Sequence, residues 1–518
     1  ILKPQSTSKI VILGGGVAGW LSALVVRKKF PSMEVSVVED PNKPPIIAGE
    51  SGTTTFVQLL QHIDIDFDDF VKHTKSTPKM GGRFKDWNGV GSEFIHCLQT
   101  DYAPWLDGWT DTEKAMSEIT IGELKNIMVA ERQKDLYQAT LLGNNVPLAD
   151  AFYANYFIKE NKVPFGASRA DLPIIPMWHN ESRATAAYLK SIALQRNINL
   201  IEGTYVDAIQ NDSGNITSLI LDDNRTIEGD WFVDCSGFAQ LLIRKKLGTK
   251  YTDYSKHFTH NSVIAWWDEP KYSVTTNATA MKYGWRWNIN LQHRSGNGYI
   301  YDNNYITADQ ALEEARSVCG EHIEPIASFT YTPEVSTESW NNNVIAIGLS
   351  SGFLEPLEAN GIAIICESLF ALQDLWDPTR ERHAIQQERF NDRVSTVYDD
   401  IKDFIALHFR GKRSDTDFWL SHMHDQERIP ESLRQKLRHW ESFFYGHSPV
   451  EPTFNGYSPT AWMQVVQGLD IFPSTYFTQA FADKLDIGKN VLNTNVKRYK
   501  KLVAPFWTID EWIENIDK

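Results

Sequence analysis

The sequence predicts an α/β fold organised around a Rossmann-like dinucleotide-binding unit, with an inserted substrate lobe and a mainly helical C-terminal region. Two observations carry this. First, KIVIL at 9–13 has the pattern of a buried strand and runs into the glycine turn GGGVAGW, an apolar stretch of helical length, LSALVV, and a second strand pattern, EVSVVE at 34–39. Second, two later apolar runs, at 230–237 and 344–348, also end in glycine turns, as returning strands of the same sheet would. The nucleotide domain is therefore expected to be discontinuous, with boundaries 1–85, 165–250 and 336–385.

Within the first unit, Gly14, Gly16 and Gly19 form GxGxxG. The first glycine permits the tight turn, the second lets a pyrophosphate approach, and the third lets helix pack on strand. The helix that follows presents backbone amides and a positive dipole end. Glu39 lies twenty residues beyond Gly19, where an acid accepts hydrogen bonds from a ribose hydroxyl. This fingerprint serves FAD and NAD alike. Only one copy occurs, which favours a single tightly held dinucleotide over a two-site reductase.

The stretch 183–196 has helical spacing and leads into another strand pattern. Two insertions, 86–164 and 251–335, are rich in Trp, Tyr, Phe and Asn and are expected to cover a substrate. From Phe390 the series Val394, Val397, Tyr398, Ile401, Phe404, Ile405 and His408 repeats at three- and four-residue steps, one face of an amphipathic helix. The region 386–518 is expected to be mainly helical and to complete the substrate site.

Length and composition agree with this plan. At roughly 150 residues per domain, 518 residues correspond to about three domain-sized units. Hydrophobic residues at 42% and charged residues at 23% exclude wholesale disorder. The formal charge of −15 disfavours a nucleic-acid or anionic-membrane partner and leaves a small molecule as the expected one. Cys97, Cys235, Cys319 and Cys366 contain no CxxC pair, so the expected setting is a reducing cytoplasm. No apolar run is long enough to span a bilayer, and no metal-ligand spacing such as HExxH appears.

Four further residues or pairs invite chemistry. Lys79, in TPKMGGRFKDW, lies in a stretch constrained by Pro78 and Gly81-Gly82 and flanked by Phe84 and Trp87. If desolvated, its amine becomes a nucleophile; most lysines are instead solvated surface residues. Trp285 and Trp287 are two apart, so in a strand both indoles project from one face, either as core or as a stacked wall between cofactor and substrate. Glu358, at the start of a long apolar helix, is either a first-turn charge or an acid beside an anion site formed by the amides of Ala359, Asn360 and Gly361. His96, in FIHCLQ, has an apolar flank and reads first as a core histidine.

Taken together, GGGVAGW at 14–20, AGES at 48–51, Lys79 within KMGGRF, DCSGF at 234–238, WRWNI at 285–289 and GFLEPLEANGI at 352–362 resemble the flavin-dependent halogenases of the tryptophan-halogenase type. SPTAWMQVVQG at 458–468 looks like that family's C-terminal substrate segment. The resemblance implies an FAD-binding fold of the flavin monooxygenase type. A separate NAD(P)H-dependent flavin reductase would supply FADH2, from which O2 and halide ion yield hypohalous acid. It implies Lys79 and Glu358 as catalytic residues, and Asn360 and Gly361 as the halide site. FAD would be held by Gly14, Gly16, Val17, Ala18, Gly19 and Glu39, by Ala48, Gly49, Glu50 and Ser51, and by Val206, Gly348, Gly361 and Ile362. His96, Trp285, Trp287, Phe353, Pro356 and Trp462 would line the substrate pocket.

The pattern departs from the family in three places. WxWxIP ends here in Asn290, and the Ser or Thr usual after the glutamate gives way to Ala359 and Asn360. Phe443, Phe444 and Tyr445 match only loosely the clamp that grips the amino-acid group of free tryptophan. The expected substrate is therefore an electron-rich indole or phenol, with bromide or iodide favoured over chloride. An FAD-dependent aromatic hydroxylase and a catalytically idle flavin-binding protein remain the alternatives, and a homo-oligomer is compatible with the sequence.

Overall fold

In a computed structural model the described residues are 8–43, 51–98, 149, 152–166, 176–380, 383–443, 457, 459–471, 500–501 and 503–516. The chain divides into two compact units. The first comprises Ile1–Ser76, Asn180–Ser255 and Thr332–Asp399; the second comprises Thr77–His179, Lys256–Tyr331 and Asp400–Lys518.

The first unit is built on a six-stranded sheet in the order Trp340–Asn341, Val344–Ala346, Trp231–Asp234, Lys9–Leu13, Glu34–Glu39, Asn199–Glu202. All neighbours are parallel except the first pair. Ile10, Val11, Ile12, Val35, Val37, Phe232, Val233, Val344 and Ile345 are all buried, and that is why these strands read as continuous apolar runs. Both late runs, 230–237 and 344–348, do return to this sheet. The strand Lys9–Leu13 sits between one neighbour that follows it directly and one from far along the chain, so the glycine turn at its C-terminal end lies at a topological switch point, the usual place for a ligand in such sheets. Helix Val17–Lys29 packs against helices Ser182–Gln195 and Asn360–Leu375.

The second unit holds a seven-stranded sheet in the order Pro325–Thr330, Ser262–Asp268, Ser295–Tyr301, Gly284–Asn290, Thr275–Met281, Gly81–Lys85, Glu93–Cys97. Only the pair Thr275–Met281 and Gly81–Lys85 is parallel. A separate two-stranded ladder joins Thr77–Lys79 to Met177–His179.

These boundaries differ from the three-part division expected from the sequence. Residues 77–85 group with the inserted lobe because Gly81–Lys85 is a strand of the large sheet, paired from Gly81↔Thr275 to Lys85↔Thr279. The C-terminal helices from Asp400 onward also belong to that unit. Helix Pro459–Gly468 is fastened to its edge strand by the Cys97 N–H donating to Gln464 Oε1 at 3.0 Å. Among the described residues no helix is long and apolar enough to cross a membrane.

Candidate active site

The glycine turn in the first unit is dense on one side and open on the other. Gly14 has φ +125°, and a Cβ there would lie 2.2 Å from the Cys235 carbonyl oxygen; one on Gly19 would lie 1.9 Å from the Gly14 carbonyl oxygen. Neither position admits a side chain. Gly15, not singled out from the sequence, is also constrained, because its Cβ would meet Glu39 Cγ and Oε1 at 2.5 Å. The Trp20 indole N–H donates to the Gly15 carbonyl oxygen at 2.9 Å and ties the turn to the helix. Gly16, by contrast, faces open space, as does Gly361 at the start of helix Asn360–Leu375. Val17 and Ala18 open a helix whose start carries no side-chain cap.

Around this turn, Gly348 (φ +76°) brings the end of strand Val344–Ala346 against Ala18 and Ile365. Glu39 is ion-paired with Lys190 of helix Ser182–Gln195, and the Gly203 N–H donates to its carbonyl oxygen at 3.0 Å. Val206 follows nearby in sequence and is 60% exposed. Ser51 is buried, whereas Ala48, Gly49 and Glu50 lie outside the described residues. Open glycine, uncapped helix start and a carboxylate at the end of the second strand together fit a dinucleotide. Asp234, in the DCSGF string, is occupied within the fold. Its carboxylate accepts the Leu242, Ile243 and Ser236 N–H groups at 2.8, 2.9 and 3.0 Å and caps the segment that follows.

Glu358 does not open the helix, as the sequence led us to expect, but sits in a 3-10 turn, Leu357–Ala359, before it. It and Ala359 are both left-handed, at φ 62° and φ 56°. Two consecutive non-glycine residues there cost about 1–2 kcal/mol each, strain that is retained only when its surroundings impose it. The buried Glu355 carboxylate accepts the Leu357 N–H at 2.6 Å, and the Asn360 side chain donates to the Glu355 and Leu357 carbonyl oxygens. Asn360 is thus a clamp for the turn, which leaves only its backbone amide for an anion. Ile362 is buried. Phe353 lies in strand Gly352–Phe353, edge-on to Phe238 at 5.7 Å, and Pro356 precedes the turn.

In the second unit Lys79 is only 6% exposed, which removes the surface-lysine alternative. It stands opposite Met177 in the two-stranded ladder, with Thr77 opposite His179. Burial, and then the charge of Lys79, hold the His179 imidazole well below its usual range.

Trp285 and Trp287 share one face of strand Gly284–Asn290, as their spacing predicts, but they are tilted at 59° with centroids 6.1 Å apart and not stacked. The reason is local. Trp287 lies over Gly298 on the paired strand, where a Cβ would meet its ring at 2.0 Å, while Trp285 turns toward Trp87 at 6.1 Å. His96 contacts Phe404 edge-on at 5.9 Å; Phe404 stacks on Tyr457 at 4.1 Å and meets Trp462 at 5.0 Å. His96 and Trp462 therefore do border one aromatic cluster. Phe444 and Tyr445 of the loosely matched clamp lie outside the described residues, as does the side chain of Phe443.

A mainly parallel sheet with an open glycine turn at its switch point is the layout of a dinucleotide-binding α/β protein, and a second unit carries a buried lysine and an aromatic cluster. Residues 9–484 match the tryptophan halogenase family model, and the chain belongs to that family. It is a flavin-dependent halogenase. It is 27% identical over 473 residues to the 7-chloro-L-tryptophan 6-halogenase KtzR of Kutzneria sp. (strain 744), covering 89% of this chain and 90% of that one. It is 28% identical over 445 residues to the tryptophan 7-halogenase RebH of Lentzea aerocolonigenes, covering 83% and 81%. The structure of BrvH, a flavin-dependent halogenase from Brevundimonas sp. BAL3, matches with a TM-score of 0.82 at 26% identity, covering 98% of this chain and 99% of that one. Relatives named for different ring positions are thus equally similar, so similarity does not select a position on the ring.

Proposed function

We propose that the protein halogenates an electron-rich aromatic small molecule of the indole or phenol type, with bromide or iodide in preference to chloride. Reduced FAD would come from a separate NAD(P)H-dependent reductase in the cytoplasm. The observation that carries this reading is the burial of Lys79 within a stretch that matches the family motif, because a desolvated amine is the kind of group that can receive and direct an electrophilic halogen.

The bound reduced flavin would supply the O2 activation that oxidises halide to hypohalous acid. For its binding, the open approach at Gly16 and the uncapped start of helix Val17–Lys29 suit a pyrophosphate, and Glu39 suits a ribose. The amides of Asn360 and Gly361 suit the halide. Lys79 Nζ either hydrogen-bonds hypohalous acid or exchanges a proton for halogen with release of water. In the first route the oxygen leaves the halogen and is protonated to water; in the second the Lys79 nitrogen leaves it and regains a proton as the amine. In both, the ring carbon gains the halogen and loses its proton, for which the Glu358 carboxylate is the proposed acceptor. Trp285 and Trp287 are proposed to prevent direct oxygen transfer to the substrate. The halide preference rests on Ala359 and Asn360 in place of Ser or Thr, and the substrate class on the loose match of Phe443, Phe444 and Tyr445 to the clamp for free tryptophan.

The test is incubation with a flavin reductase, FAD, NADH and each halide in turn, with indole or phenol, followed by mass spectrometry. Brominated and iodinated products should exceed chlorinated ones, and none should form without the reductase. Regiospecific chlorination of free tryptophan with little turnover of simple indoles would refute the substrate and halide assignments.

A further inference from the structure

The strand that carries Lys79 is three residues long and pairs with one other strand of three. So short a ladder does not by itself hold a side chain still. Backbone bonds fix its C-terminal end, where the Met80 N–H donates to the Val274 carbonyl oxygen at 2.6 Å and the Met80 carbonyl oxygen accepts the Leu98 N–H at 2.8 Å. Its other end, at Thr77, is tied to the large sheet by side-chain hydrogen bonds. The Thr77 hydroxyl donates to the Asn290 carbonyl oxygen at 2.6 Å. His179 Nδ1 lies 3.3 Å from Thr77 Oγ1, and His179 Nε2 lies 2.9 Å from Thr276 Oγ1. Thr77 and His179 are fully buried.

The direction of each bond follows from counting protons. A threonine has one hydroxyl proton, and Thr77 gives its own to Asn290. Thr77 Oγ1 therefore accepts from His179, which must carry its proton on Nδ1. The geometry thus places a proton on Nδ1, and burial and Lys79 both oppose a second one, so Nε2 is left to accept from the Thr276 hydroxyl.

We propose that His179, held between Thr77 and Thr276, is a positioning residue for Lys79, a strut that fixes the short strand so that the amine meets hypohalous acid in one place. The inference rests on the reading of Lys79 given above. Thr77 and Lys79 project to the same face of their strand, and His179, directly opposite Thr77, shares that face. A carboxylate at 179 would bind the lysine as an ion pair, and a cation would repel it. An uncharged strut does neither.

The test uses the full-length, FAD-loaded enzyme with reductase, bromide and indole, and compares wild type with Thr77→Val, Thr77→Ser, His179→Phe and Lys79→Met. Three quantities are read: brominated indole, hypobromous acid captured in solution by a 1,3-dicarbonyl trap, and acetylation of Lys79 relative to Lys85 and Lys271 by peptide mass spectrometry. Thr77→Val and His179→Phe should lower indole bromination by about tenfold to a hundredfold, the usual effect of misplacing a reacting group by an ångström. The trapped fraction should rise, and the acetylation of Lys79 alone should change. Thr77→Ser, which keeps the hydroxyl, should restore all three.

If Lys79→Met is inactive while Thr77→Val keeps wild-type product and wild-type Lys79 acetylation, the strut is refuted and the reading of Lys79 stands. Loss of product in Thr77→Val with unchanged trapping and unchanged acetylation also refutes it, because Lys79 has then kept its position and the loss has another cause. If Lys79→Met remains active, the reading of Lys79 has failed and the strut falls with it. Should His179→Phe not fold, the Thr77 pair, which isolates one hydroxyl, decides.

Discussion

Gly14 and Gly16 are two residues apart and meet opposite demands. A methyl on Gly14 would enter the Cys235 carbonyl from a backbone at φ +125°, so Gly14→Ala should destabilise the protein by about 2 kcal/mol or more. Gly16→Ala enters open space and should leave stability within about 0.5 kcal/mol while weakening FAD binding. Urea unfolding and flavin fluorescence titration separate the two effects, and equal loss of stability in both would contradict the assignment. Glu358→Gln should cut product by about 10²-fold with melting unchanged, if its carboxylate takes the ring proton. The three motif glycines were legible because their requirement is written in local spacing. Gly15 and His179 were not, because what constrains them, Glu39 and Thr276, lies far away in the chain.

At the scale of elements, the helix Asn360–Leu375 was legible from its apolar length, but its start was not. LEANG reads as a first helical turn; the side chains of Glu355 and Asn360 instead close a tight turn and drive Glu358 and Ala359 into left-handed backbone. Glycine adopts that conformation without the steric cost, so Ala359→Gly should raise stability by up to about 1 kcal/mol in urea unfolding. A loss of stability would show that the turn is not strained at Ala359. The tryptophan pair gives the same lesson for strands. Period two put both indoles on one face, but their tilt depends on Gly298 of the paired strand, which no local pattern announces.

At the scale of the molecule, the sequence yielded the discontinuous nucleotide-binding sheet but not the merger of the C-terminal helices with the inserted strands, which depends on contacts such as Cys97 to Gln464. That merger has a consequence for pH. His179, His257 and His422 all lie in the second unit, and burial lowers all three, the first and last by a wide margin. In the unfolded chain they bind protons below about pH 6.5, where the folded chain binds fewer, so stability rises with pH through that range and is lost as pH falls below it. Amide exchange should accordingly show the second unit losing protection before the first on acidification, and the reverse order would contradict this reading. The central claim, that Lys79 passes halogen to the ring, is tested most directly by following flavin reoxidation by stopped flow alongside halogenated product in wild type and Lys79→Met under saturating reduced FAD. The predicted result is unchanged reoxidation with product nearly abolished; product above about a tenth of wild type would contradict it, because loss of a directly catalytic group costs more than that.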